Sequence, residues 1–403
     1  MQPARSSFVL WLLISAGFVV SLDSRVITPV LPAIAEGFAT TTGTAGLIVT
    51  AYLLPYGLFQ LVYGPLADRV GRVPVIAFAM CGFAAGSLLS ALAPSLNWLI
   101  ACRLFTGMAA AAVFPLTLAF IGDTVEYSRR QHAIGYVIIA ASLGQVLSSA
   151  VGGLLAEVIS WRAIFAIDGV IAAGIIVLLL REPLARTRAT GPRRSSLAAY
   201  RIVLRDRRHI GFYALIFAEG AMTIGAFSFL GALLRDRDGF SYATIGLIVA
   251  LFGVASIAGG RLLGRFLRRL GEGRMIAIGG AGLALCWVLT VVPPTIPVFL
   301  FAMLVGGLAF ILIHSTFQTR ATEIAPAARA TGVSLFAFSL FLGGSTGSYL
   351  VASAIDSAGY TATLLGLALA SAVFTIIATL AIVPCSQPER SATSPLAPTS
   401  SAS

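Results

Sequence analysis

GPLADRVGR, residues 64–72, is a short polar stretch between two long apolar runs at roughly 44–66 and 73–93. Each run is long enough to cross a bilayer, because a hydrocarbon core of about 30 Å takes about 20 residues at about 1.5 Å per residue. A turn this short, rich in Gly and Arg, reads as the link between two spanning helices on one side of a membrane. A similar turn occurs 196 residues later. GRLLGRFLR, residues 260–268, aligns Gly64 with Gly260, Leu66 with Leu262, Arg69 with Arg265 and Arg72 with Arg268. The chain therefore reads as two related halves.

Working outward from the first turn, apolar residues make up 58% of the 403 residues and charged residues only 11%. Soluble domains are about a quarter charged, so too few polar groups exist to cover a water-facing surface. Ten further apolar runs lie at roughly 8–34, 96–121, 133–157, 162–181, 210–234, 241–264, 274–293, 296–318, 328–355 and 360–383, making twelve. Helices are the expected form, because a lipid-facing backbone must satisfy its own hydrogen bonds. The alternating ten-residue segments of a membrane barrel are absent from the sequence. The first run is too long for a cleaved leader and is read as a span.

The net charge is +11, and all 27 basic residues are Arg. With both termini inside, 22 Arg fall on the cytoplasmic side, three (Arg162, Arg235 and Arg237) outside, and two (Arg25 and Arg103) within spans. That bias predicts a cytoplasmic N-terminus and C-terminus. It also explains the basic character without nucleic acid, which is not an expected partner. The predicted organisation is an N-terminal six-helix bundle over 1–181, a cytoplasmic linker over 182–209, a C-terminal bundle over 210–383 and a disordered tail over 384–403. Within the linker, Leu197 to His209 reads as an amphipathic helix at the inner membrane surface. Cys81, Cys102, Cys286 and Cys385 have no paired spacing and read as packing residues rather than a disulfide framework or metal site.

The first turn, with Gly64, Leu66, Ala67, Asp68, Arg69, Gly71 and Arg72 in place, resembles the signature between the second and third helices of the major facilitator superfamily. LIACRLFTGMAAA, residues 99–111, resembles that family's fourth helix through Arg103 and Gly107. LDSRVITPVLPAIA, residues 22–35, resembles its first helix, with Asp23 followed by Leu31-Pro32. Trp161, Arg162 and Phe165 resemble the start of its sixth helix. GQVLSSAVGG, residues 144–153, resembles the drug:proton antiporter fifth helix at Gly144, Gly152 and Gly153, but Ser148 and Ser149 stand where that pattern has Gly-Pro. The resemblance implies an all-α membrane protein of twelve transmembrane helices in two pseudo-symmetric six-helix bundles, with a substrate site between them near the bilayer midplane.

It also implies site residues. Gly64, Asp68, Arg69, Gly71 and Arg72 would form a gating latch; the alternative is a turn that only sets topology. Glycines allow a tight turn and close helix approach, and Asp68 would favour a helix N-terminus across the gap between the halves. Asp23, Arg103, Glu219 and His314 are the proton-coupling candidates. A low-dielectric cavity disfavours the charged form of a carboxyl, and Arg in lipid needs a partner or a wet cavity. The 196-residue shift places Glu219 on Asp23. Structural ion pairs and hydrogen bonds are the alternative for all four. Arg25, Tyr52, Tyr56, Gln60, Gln145, Gln318 and Phe336 are candidate substrate-cavity residues.

No nucleotide-binding loop or hydrolytic triad stands out, so an enzyme is not expected. The expected activity is proton-coupled efflux of small amphipathic or drug-like molecules by alternating access, driven by a proton gradient with no cofactor and no metal. The alternatives are transport of a specific, perhaps anionic, metabolite, or lipid flipping. Expected partners are the small-molecule substrate, protons and membrane lipids, in a monomer at the bacterial inner membrane.

Overall fold

The computed structural model describes residues 3–182, 200–201, 203–291, 295–324 and 329–382. Residues 183–199 and 202 of the expected linker, the whole expected tail over 384–403 and Cys385 lie outside the described residues. Among the described residues the chain is helical almost throughout and contains no strand.

Four spans of the first half are α2 (Thr42–Val70), α3 (Arg72–Ala91), α5 (Tyr127–Val158) and α6 (Trp161–Leu180). The other two are each broken once. α1 comprises Pro3–Arg25 and Ile27–Gly37, and α4 comprises Leu96–Ala110 and Val113–Thr124. Both breaks have the same cause. A proline ring clashes with the carbonyl four residues before it and leaves that carbonyl without its N–H donor. Four residues before Pro29 is Arg25, where the first segment of α1 ends; four before Pro115 is Ala111, just past the first segment of α4.

In the second half, α7 changes geometry along its length. It runs Arg207–Gly220 as α-helix, Ala221–Gly225 as π-helix, Ala226–Phe229 as 3₁₀-helix and Leu230–Asp236 as α-helix again. Two continuous helical stretches follow, of 50 residues (Tyr242–Val291) and 54 residues (Arg329–Ile382). A straight 50-residue helix would be about 75 Å long, more than twice the bilayer core. Both stretches turn at a glycine of positive φ, Gly271 (φ 70°) and Gly359 (φ 78°). They are therefore α8 (242–270) and α9 (272–291), and α11 (329–358) and α12 (360–382), with α10 (Ile296–Glu323) between. The α2–α3 turn closes at Gly71 with φ 113°, so the corresponding connection in each half bends at a glycine. Gly64 is not part of that turn: it lies inside α2, with open space where a Cβ would sit.

These are twelve spans in two six-helix bundles, and the chain is a multi-pass membrane protein. Phe78, Leu92, Leu369 and Leu380 are exposed on its outside, the expected state of side chains whose solvent is lipid. The bundles meet along small-residue seams that bring backbones close. Gly153 of α5 packs against Tyr242 and Gly246 of α8, Gly231 of α7 against Thr28 of α1, and Gly57 of α2 against Phe338 and Phe341 of α11.

Candidate functional site

Two buried acid–base pairs occupy equivalent places in the halves. In the first, Arg103 on α4 donates from Nη1 to Asp23 Oδ1 on α1 at 2.6 Å, with side-chain exposures of 1% and 0%. The local sequence sets this up. Gly107, one turn from Arg103, lies against the Tyr52 carbonyl, so a Cβ there would collide with it. α4 thus lies close on α2, and the Arg103 guanidinium carbon sits 4.2 Å from the Tyr52 ring centre and 5.3 Å from that of Phe165. α5 holds α1 in register. Gly144 meets the Phe18 carbonyl, Ser148 Oγ donates to the Leu22 carbonyl, and Gly152 meets Val26. Ser148, where the sequence departs from Gly-Pro, is therefore the residue that ties α5 to α1 beside Asp23.

In the second pair, His314 Nδ1 on α10 lies 2.9 Å from Glu219 Oε1 on α7. Glu219 is fully buried, while the His314 side chain is 18% exposed. The imidazole stacks on Phe310 at 4.8 Å and meets Phe336 edge-on at 5.2 Å. Phe336 is thus a wall of the histidine site. The π-helical turn begins two residues after Glu219, and such turns concentrate at functional sites. All four proton-coupling candidates therefore fall into two pairs, each joining the first helix of a half to its fourth.

Between the bundles lies a cavity of about 20 Å³ lined by Ser24, Arg25, Ile27, Thr28, Val49, Tyr52, Leu53, Arg103, Ile224 and Ser228. That holds about one water and no organic molecule, so the centre is collapsed in this conformation. Arg25 and Tyr52 line it. Tyr56, Gln60, Gln145, Gln318 and Phe336 do not. Tyr56 packs on Phe341 at 4.3 Å, Gln60 is buried in α2, and Gln145 and Gln318 are exposed. Arg25 has no carboxylate partner among the described residues and lies 5.9 Å from the Phe252 ring centre.

The outer ends of the bundles are tied together. Arg235 Nε and the Tyr242 hydroxyl donate to Glu36 at 3.3 and 2.7 Å. Thr42 and Tyr360 donate to Asp236 Oδ2 at 3.0 and 2.5 Å, and Thr41 donates to Asp356 at 2.9 Å. The Tyr242 N–H donates to Glu157 at 2.8 Å. The turn at residues 64–72, by contrast, is bonded within its own half. Arg72 pairs with Asp68 at 2.6 Å and with Asp123 of α4 at 3.3 Å. Among the described residues Asp68 therefore pairs within its own half, and Arg69 forms no ion pair with it. The structure is closed at the end opposite this turn, which the Arg distribution predicts to be the outside.

Sequence reading missed two groups. One is the outer network, whose members are ordinary loop-side polar residues until folding brings them together. The other is Asp168 on α6, which is 1% exposed with neither carboxylate oxygen hydrogen-bonded. It is a lone acid inside an apolar run, as Glu219 is, and that signal could have found it.

A family model described as Major Facilitator Superfamily matches residues 13–348 and 239–402. The chain is 28% identical over 355 residues to "Uncharacterized MFS-type transporter YceJ" of Bacillus subtilis, covering 84% of this chain and 87% of that one. It is 28% identical over 268 residues to "Multidrug resistance protein D" of Escherichia coli, covering 66% and 67%. It is 23% identical to a "Probable sugar efflux transporter" of Helicobacter pylori, covering 85% and 87%. Among solved structures, the nucleoside transporter NupG aligns with a TM-score of 0.76 at 16% identity, over 92% of this chain and 98% of that one. A bacterial homolog of the human lysosomal transporter Spinster, inward-facing and unoccupied, aligns with a TM-score of 0.74 at 20% identity, over 94% and 96%.

Proposed function

Because the chain belongs to the Major Facilitator Superfamily, a group of membrane transporters, we propose that it is a proton-coupled efflux antiporter of small amphipathic molecules in a bacterial inner membrane. Both termini would be cytoplasmic, on the Arg distribution. A monomer suffices, since both pairs and the cavity come from one chain.

The observation that carries this reading is the placement of the two acid–base pairs. Each half buries a carboxyl on its first helix against a base on its fourth, and Arg103 of one pair lines the central cavity. An intramembrane ionisable pair facing a bundle interior marks a coupling or substrate path. Protonation of Asp23 or Glu219 removes the charge that holds its partner, and this changes the relative stability of the outside-closed and outside-open states. Outward release of substrate would then exchange for inward proton movement. The relatives named for multidrug resistance and sugar efflux agree with export.

Proteoliposomes with an acidic lumen test this. Proton exit should drive accumulation of an amphipathic fluorescent dye, and collapse of the gradient with a protonophore should abolish it. Asp23→Asn should remove the gradient dependence. A dye flux that is indifferent to the gradient in the intact protein would reject proton coupling.

The unpaired Arg25 favours a second reading, in which the substrate carries an anionic group. In the same vesicles a carboxylate-bearing dye would then compete with a neutral one, and Arg25→Gln would weaken only the carboxylate's transport. Equal loss of both would reject the anionic preference.

A further inference from the structure

The first-half cluster contains one acid more than its paired description uses. Asp168 lies one turn beyond Phe165, whose ring faces the Arg103 guanidinium. It is within electrostatic reach of both Asp23 and Arg103. Around the one bonded contact, Arg103 to Asp23 at 2.6 Å, several polar atoms are buried without a partner. They are Arg103 Nε, Asp23 Oδ2, both oxygens of Asp168 and the Tyr52 hydroxyl. A network with this many unmatched atoms around one cation can rearrange at little cost in lost bonds.

Charge balance limits what it can hold. α6 packs against α1, α3 and α5. The charged or titratable groups facing Asp168 are Asp23 from α1 and Arg103 from α4, with Tyr52 of α2 beyond the guanidinium. α3 brings only Ser87 and Ser90 to this depth, and α5 has no charged residue between its ends. The cluster is thus one permanent cation and two carboxyls, with almost no exposure. Two carboxylates against one guanidinium would leave a net negative charge out of water, which a low-dielectric site disfavours strongly. One bound proton makes the cluster neutral.

We propose that Asp23 and Asp168 share one proton across Arg103, and that in this outside-closed conformation the proton resides on Asp168. This rests on the proton-coupled reading above and deepens it by placing the proton. Asp23 holds the guanidinium, so Asp23 is the carboxylate. Asp168 has no bond from either oxygen, the arrangement that costs least when that group is neutral. Transfer breaks the O–H bond of Asp168 and forms one on Asp23 Oδ2. Arg103 then exchanges its contact from Asp23 to Asp168. The number of protons and the net charge of the cluster stay the same. The position of Arg103 against α1 or α6 becomes the signal that the rest of the bundle feels, and loss of the proton to the cavity leaves the two acids competing for one cation.

Infrared spectra of the purified full-length protein in detergent, with isotope-labelled aspartate to separate Asp from Glu219, test the sharing. The wild type should show one protonated aspartic acid band that disappears on titration to alkaline pH. Asp168→Asn should lose the band, and Asp168→Glu should move it to the unlabelled glutamate region. Asp23→Asn should also lose it, because Arg103 then pairs with Asp168 and the cluster is neutral without a proton. Asp23→Ser serves where the amide does not give monodisperse protein. A band that survives removal of the Asp23 carboxyl would overturn the inference, since Asp168 would then be a permanently neutral structural acid. A band that survives Asp168→Asn would overturn it equally. Failure of gradient-driven dye transport alongside the expected bands would instead remove the transport reading and leave the shared proton standing.

Discussion

The two halves use the same geometry with different chemistry. In each, the first helix carries a buried acid and the fourth helix carries its base, and the first helix loses regular α-geometry within three residues after the acid. The seams beside the acids also correspond. α5 lays Gly144, Ser148 and Gly152 on α1, and α11 lays Gly343 and Gly347 on the α7 backbone. The bases differ. Arg103 is a permanent cation, almost fully buried and held between two rings. His314 can be neutral or charged, and its side chain is 18% exposed. The first half also has a second acid, and the second half has Leu364 at the position 196 residues after Asp168. The first half is built to hold a charge and the second to change one.

The largest expected effect comes from removing each base. Arg103→Ala leaves Asp23 buried beside Asp168 with no cation, and breaking a buried pair in this way costs about 3–5 kcal/mol. His314→Ala leaves Glu219 with one lost hydrogen bond next to a partly wet pocket, which costs about 1–3 kcal/mol. Thermal unfolding in detergent should place the arginine variant well below the histidine variant. Equal losses would mean that the halves are energetically alike and that the contrast is only one of residue names.

Exchange of the bases asks the same question of function. Imidazole is the side chain that changes charge near neutral pH, and guanidinium does not. His314→Arg should make the second half hold a fixed charge as the first does. Transport should then lose most of its dependence on pH. Vesicle flux at a series of symmetrical pH values measures this. A variant whose profile still follows that of the wild type would move the pH-sensing group out of α10.

Much of this was legible before folding. The run lengths, the Arg bias and the repeat of the α2–α3 turn lead to twelve helices in two halves; the breaks before Pro29 and Pro115 were not read, and Pro55 and Pro65 sit inside α2 without one. The four intramembrane ionisable groups were also visible, because charge inside an apolar run is rare. Their pairing was not. Glu219 and His314 are 95 residues apart, and Asp23 and Arg103 are 80; periodicity assigns a face to a residue but not a neighbour. Placement around the small central cavity was illegible for a related reason. Gln145 and Gln318 are polar, yet each lies one or two positions from a residue that does pack inward, Gly144 and Thr316, and a helix turns by about 100° per residue. The irregular turn in α7 has no proline to announce it. Gly220 and Gly225 mark it only through close contact with α11, where Cβ atoms would strike Leu340 and Gly344.

The seams offer a smaller test. Ser148 is the one seam residue beside Asp23 whose side chain bonds the opposite helix. Ser148→Ala should cost about 1 kcal/mol, the usual net value of a hydrogen bond. Gly343→Val in the second half would drive a branched side chain into the Phe217 backbone and should cost about 1–3 kcal/mol through overpacking. The seams would then be shown to depend on different things, a bond in one half and empty space in the other. A neutral Gly343→Val would show that α7 and α11 can separate freely beside Glu219.

The smallest expected effect concerns the outer closure, where the halves meet directly. Glu36 of the first half takes Arg235 and Tyr242 of the second, and its side chain is 57% exposed. Exposed ion pairs contribute about 0.2–1 kcal/mol and weaken with salt. Glu36→Gln keeps the size of the side chain and removes the charge. It should therefore shift the ratio of outside-open to outside-closed molecules by no more than about fivefold, and added salt should shift the wild type in the same direction. Spin labels on the outer ends of α1 and α7 report that ratio as two distance populations. Thr41 and Thr42 bond the second-half acids Asp356 and Asp236, and the Tyr242 N–H bonds Glu157, all without Glu36, so the closure should persist in the variant. Complete opening on Glu36→Gln would mean that one exposed carboxylate, rather than the seams and the other outer hydrogen bonds, holds the halves together on the outside.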